Sequence, residues 1–104
     1  MSKDKIVITH AHRTAVGSLS KSLKNIEAHK LGAKVILEIL KKSNINKQEI
    51  DEVILGQVLT GGTGQNPARQ AAIQAGLPKE IPAYVVNQVC GSGIRSIASG
   101  FQSI

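Results

Sequence analysis

Aromatic residues are almost missing from this 104-residue chain, which has one tyrosine, one phenylalanine and no tryptophan. That removes the stacking platform on which single-strand nucleic-acid binders rely. The net charge of +6 comes mostly from lysines before residue 48, with no nucleic-acid motif beside them. Nucleic acid is not an expected partner. Cysteine is nearly absent too. A single one, Cys90, excludes an internal disulfide framework and a multi-cysteine metal site, and it suits a reducing compartment. No apolar run approaches the ~18 residues of a membrane span. The opening Met-Ser-Lys-Asp-Lys leads into only a handful of apolar residues, unlike a secretory leader. A cytoplasmic location without membrane contact is expected. Repeats, low-complexity tracts and dividing linkers are also lacking, so the chain reads as at most one small domain. A hydrophobic fraction of 41% is ordinary for a globular chain.

What is present is an alternation of strands and helices. Lys5-Ile6-Val7-Ile8-Thr9-His10 is a continuous apolar run of the kind buried on both faces of a sheet. Ala11 to Leu23 reads as loop. From Ala28 to Lys42, Leu31, Val35 and Ile39 with Ile36 and Leu40 mark an amphipathic helix, and Lys41 and Lys42 suit the dipole of its last turn. Val53 to Leu59 is a second strand. Asn66-Pro67 is an N-cap with proline at the first helical position. The short helix that follows, Ala68 to Ala75, is stopped by Gly76 and Pro78. Tyr84-Val85-Val86 is a third strand after Pro82, and Ile94, Ile97, Ala98 and Phe101 then share one helical face. The order βαβαβα predicts an α/β fold with a parallel sheet.

Cys90 falls where the third strand turns into the last helix. In parallel sheets, ligands gather at the carboxyl ends of the strands. The first N–H groups of a helix lack internal partners and the dipole is positive there, which favours the nucleophilic thiolate. Gly91 and Gly93 clear side chains from beside the sulfur, so a carbonyl can come close. Free N–H groups can then hold the oxyanion formed by attack on that carbonyl. The alternative is a small buried cysteine that only packs.

Other candidates are weaker. His10 and His12 follow the first strand, two strands from the cysteine, a backbone separation of roughly 10 Å that leaves them short of a Cys–His hydrogen bond. His29, at a helix start, is expected on the surface. No His, Asp and Glu grouping has metal-ligand spacing. Gly61-Gly62-Thr63-Gly64 lacks the Lys-Ser/Thr ending of a P-loop and reads as a turn before the capped helix. Arg69 and Arg95 are open between salt bridges and contact with a substrate phosphate.

Asn87-Gln88-Val89-Cys90-Gly91-Ser92-Gly93 closely resembles the acyl-enzyme cysteine motif of thiolases. Gly64-Gln65-Asn66-Pro67-Ala68-Arg69-Gln70-Ala71-Ala72 with Ala75-Gly76-Leu77-Pro78 is similar to that family's second helix, and Arg13-Thr14 and Asp51 to Gly56 also fit. The resemblance runs in register through essentially the whole chain, and is to the biosynthetic, acetyl-CoA C-acetyltransferase type. It departs at His10 and His12, where small residues are usual, and at Ala15, where proline is common.

The resemblance implies that Cys90 accepts an acetyl group from acetyl-CoA, after which a Claisen condensation gives acetoacetyl-CoA, or the reverse. Coenzyme A enters as a thioester substrate and no other cofactor is implied; a basic surface suits such an anion. It also implies sheet order 3-2-1, a homo-oligomer, and correspondence of residues 1–104 to the N-terminal part of the family's N-terminal domain, without a C-terminal domain. The activating histidine, a second cysteine and most of the CoA-binding loop belong to later sequence. The expectation is therefore an enzyme competent only with a complementary thiolase chain. The other expectations are a non-catalytic remnant or interaction module and, more remotely, a fragment of a ketoacyl-synthase-like condensing enzyme.

Overall fold

The computed structural model describes residues 5–104. Three helices, α1 (Ala28–Ser43), α2 (Pro67–Gln74) and α3 (Ser92–Ser103), surround two strands, β1 (Val53–Gly56) and β2 (Ala83–Val86). The strands are parallel, with Val53 opposite Ala83 and Gly56 opposite Val86. The chain passes from one strand to the other through α2, as parallel pairing requires. The expected α/β class and parallel sheet are both present.

The first expected strand is not. Residues 5–10 carry no strand, and Val7 and Ile8 are 66% and 75% exposed. The expected βαβαβα order is therefore αβαβα among the described residues, and the expected sheet order 3-2-1 keeps only its 3-2 pair. An apolar run supplies side chains for a core, but a strand takes its hydrogen bonds from a neighbour. Ile6, Val7 and Ile8 instead border an apolar hollow beside Ile97 and Phe101 of α3 and the Ile104 that follows it. The second strand is also shorter than expected. Its ladder closes with Gln57 N–H donating to Val86 O at 3.1 Å, and beyond that Asn87 Nδ2 donates to Val58 O at 3.2 Å.

Alternation along β1 sorts its side chains to two sides. Val53 joins Ala72, Leu77 and Ile81 in the buried core, with Ile36, Leu40, Leu55 and Ala83 packed around them. Gly56 faces the other way, against Ser92 at the start of α3. The result is layered: α1 on α2, α2 on the sheet, and α3 on the opposite face. Small residues make each approach close. Ala68, Ala71 and Ala72 of α2 and Ala75 at its C-cap are 0% exposed, and a Cβ on Gly32 of α1 would meet that of Ala71 at 3.4 Å.

Local signals explain the element ends. Asn66 Oδ1 accepts from Arg69 N–H at 3.1 Å, capping α2 before Pro67, while its Nδ2 donates to Ala83 O at 2.9 Å and ties the helix to β2. Gly76 follows α2 at φ +78°, a conformation that favours glycine. Asn44 closes α1 in the left-handed region at φ +54°, after Lys41 and Lys42 in the last turn. A short 3-10 turn, Lys47–Glu49, carries a full capping box between Asn46 and Glu49.

Candidate active site at the β2–α3 junction

Residues 87–91 connect β2 to α3 at the carboxyl ends of both strands. Cys90 is exposed there, which sets aside the alternative of a small buried cysteine that only packs. The turn that presents it has a cost. Val89 stands at φ +48°, left-handed backbone that a β-branched side chain rarely adopts. Such a residue costs about 1–3 kcal/mol and persists only where its surroundings over-determine it.

Those surroundings are specific. Ser92, 4% exposed, accepts from Gln88 N–H at 2.8 Å and donates its hydroxyl to Val89 O at 2.6 Å. Asn87 Oδ1 accepts from Val89 N–H at 2.9 Å. Arg95 Nε donates to Gln88 Oε1 at 2.6 Å, so one of the two undecided arginines braces this turn. The other, Arg69, donates Nη1 to Ile81 O at 2.9 Å and Nη2 to Lys79 O at 2.6 Å, holding the loop before β2. The start of α3 comes so close to β1 that a Cβ on Gly56 would lie 2.5 Å from the carbonyl carbon of Ser92. Only glycine leaves that space.

The helix start keeps free donors. Gly91 and Ser92 N–H groups donate to Gln88 O at 2.9 Å and Val89 O at 3.1 Å. Those of Cys90, Gly93 and Ile94 have no backbone partner among the described residues. A Cβ on Gly93 would meet nothing within 4 Å, so the first turn of α3 is open at that position. An exposed thiol beside unpaired amides can attack a carbonyl and hold the resulting negative charge.

The histidines divide. His10 Nδ1 is hydrogen-bonded to Thr9 Oγ1 at 2.9 Å and His12 is exposed; among the described residues neither is hydrogen-bonded to Cys90. His29 is not on the surface as expected. It is 7% exposed, with Nδ1 on Gln74 Oε1 at 3.0 Å and Nε2 on Glu27 Oε2. The N-terminal turn of α1 lies against the C-terminal end of α2, which turns an apparent surface position into a polar bridge between helices. Among the described residues no grouping of three or more His, Cys, Asp and Glu could hold a metal. No described helix is long and apolar enough to cross a membrane. The Gly61–Gly64 segment is a braced turn, with Gln70 Nε2 donating to Thr63 O at 2.8 Å and Gln65 O at 2.9 Å.

Sequence reasoning located Cys90 but passed over Ser92, Val89 and Gly56. A glycine inside a strand pattern is itself a sign of close backbone approach, so Gly56 had a readable signal. Ser92 had none, because serine at a helix start normally signals an N-cap and here Gly91 holds that position.

Comparison with known proteins identifies relatives. The family described as Thiolase, N-terminal domain matches residues 6–104. An acetyl-CoA acetyltransferase of Rhizobium meliloti (strain 1021) is 55% identical over 104 residues, covering 100% of this chain and 26% of the relative. One from Pseudomonas aeruginosa is 56% identical over 99 residues, or 95% of this chain and 25% of the relative. Among solved structures, the Acat5 thiolase from Ascaris suum in complex with coenzyme A superposes with a TM-score of 0.79 at 37% identity, over 83% of this chain and 22% of that one. The chain thus spans about a quarter of the length of the curated relatives it matches.

Proposed function

Because the chain belongs to the thiolase family through that N-terminal domain, we propose that Cys90 is the acyl-accepting nucleophile of a thiolase-type acyl transfer. Residues 1–104 are on this reading the N-terminal part of that domain. The Cys90 thiolate attacks the carbonyl carbon of acetyl-CoA, the carbonyl π pair moves onto oxygen, and collapse expels coenzyme A and leaves S-acetyl-Cys90. Condensation with a second acetyl-CoA gives acetoacetyl-CoA, and the reverse direction uses the same cysteine. The N–H of Cys90 itself is the oxyanion donor. The observation that carries the reading is the exposure of Cys90 on a strained turn beside unpaired helix amides.

No histidine is hydrogen-bonded to the thiol among the described residues, so the chain alone lacks the nucleophile–base unit. Absence of such a base costs several powers of ten in rate. On this reading the base comes from thiolase sequence outside residues 1–104, in the same polypeptide or in a complementary chain, and the cytoplasm is the fitting reducing compartment for the exposed cysteine. That same observation favours the second reading, a non-catalytic remnant that keeps the turn and does no chemistry.

Radiolabelled acetyl-CoA separates the two. The expected result is slow labelling of the Cys90 peptide, accelerated by a complementary chain and abolished by Cys90→Ser. Absence of label under both conditions leaves the remnant.

A further inference from the structure

One side chain holds two peptide planes of the turn, Asn87–Gln88 and Val89–Cys90. Ser92 Oγ receives the Gln88 N–H at 2.8 Å and gives its own proton to Val89 O at 2.6 Å. The Ser92 N–H donates to the same Val89 oxygen at 3.1 Å, so that carbonyl is drawn toward the buried side, where Ser92 is 4% exposed. No peptide bond in the described chain is cis. In a trans peptide the C=O and the N–H on its two ends point in opposite directions. Drawing the Val89 carbonyl inward therefore turns the Cys90 N–H outward, to the side on which the thiol is exposed and where that N–H has no backbone partner.

We propose that Ser92 is a positioning residue for acyl transfer: its hydroxyl sets the Val89–Cys90 peptide so that the Cys90 N–H faces an incoming acyl oxygen. The inference rests on the reading of Cys90 as acyl acceptor, and it is tested without coenzyme A. With p-nitrophenyl acetate, Cys90 sulfur attacks the carbonyl carbon, the π pair becomes an oxyanion, and p-nitrophenolate leaves; the thiol proton passes to buffer. Alkylation by iodoacetamide also consumes the thiolate but forms no oxyanion. A donor lost from an oxyanion hole costs about 10²–10³-fold. A displaced donor costs less, and Ser92→Ala is expected to slow acetylation by p-nitrophenyl acetate about tenfold or more. The same variant is expected to leave iodoacetamide alkylation within about threefold, and Ser92→Thr to recover most of the acetylation rate.

Parallel loss of both reactions shows a merely structural serine and overturns the proposal, as does an unchanged acetylation rate. Should Ser92→Ala fail to fold by far-ultraviolet circular dichroism, amide hydrogen exchange on the unaltered chain decides. The Cys90 amide is expected to exchange within about tenfold of an unstructured peptide while Gly91 and Ser92 are protected. A protected Cys90 amide overturns the assignment. A chain that reacts with p-nitrophenyl acetate but not with acetyl-CoA fails the functional reading and leaves the role of Ser92 intact.

Discussion

Helices α2 and α3 flank the same two strands and reach them by the same device, yet end in opposite surroundings. Both place small residues toward the sheet, alanines in α2 and Ser92 against Gly56 in α3. The outer side of α2 is covered by α1, through Ala71 against Gly32. The outer side of α3 carries Ile94, Ile97 and Phe101, which are 78%, 59% and 60% exposed, and Ile104 just after it is 85% exposed. Apolar periodicity identified a stripe on α3, and the structure turns that stripe outward because close approach at Gly56 admits only the small-residue side. A hydrophobic stripe therefore says that a helix has a face to bury, while side-chain size at the contact decides which face meets the sheet.

The comparison can be broken from the closed side first. Ala71→Leu drives three extra carbons into a fully buried position, where a single Cβ on Gly32 would already come within 3.4 Å. A loss of about 3 kcal/mol is expected by urea unfolding. A variant as stable as the parent would mean that the α1–α2 contact is loose. Gly56→Ala tests the inner side of α3. The added Cβ gains about 0.4–1 kcal/mol from a stiffer unfolded chain. It also meets the Ser92 backbone at 2.5 Å, and overpacking costs of about 1–3 kcal/mol dominate. A net loss near 2 kcal/mol is expected, with a changed alkylation rate at Cys90.

Smaller effects sharpen the contrast. Asn66→Ala removes the α2 cap and its bond to Ala83 O, and should lower stability by about 1 kcal/mol. Its midpoint shift in urea should come with no change in slope. Phe101→Ser, on the outer side of α3, should change the stability of this chain by no more than about 0.5 kcal/mol. A loss near 3 kcal/mol there would show that the stripe is covered in solution and would erase the difference between the two helices.

How much of this could be read in advance varies with the range of the interaction involved. Asn66-Pro67, Gly76 and the Lys41-Lys42 turn are local devices, and each helix begins or ends where they stand. Cys90 was legible because the switch from β-branched run to helical spacing happens at that residue. The apolar run at residues 5–10 was misread as a strand, since the neighbour that makes a strand is not written in the strand itself. His29 was misread for the same reason, because Gln74 lies 45 residues away in the chain.

The three helices, the strand–helix–strand order from β1 to β2, the Asn66 cap and the position of the cysteine at a strand–helix junction were determined by the sequence alone, because they depend on neighbours a few residues apart. Tertiary structure decided the rest. It set Val89 in left-handed backbone, buried Ser92 beneath it, placed Gly56 under the helix start and left one stripe of α3 open. Each of these is a competition for space between segments distant in the chain, and only their packing settles which side chain yields.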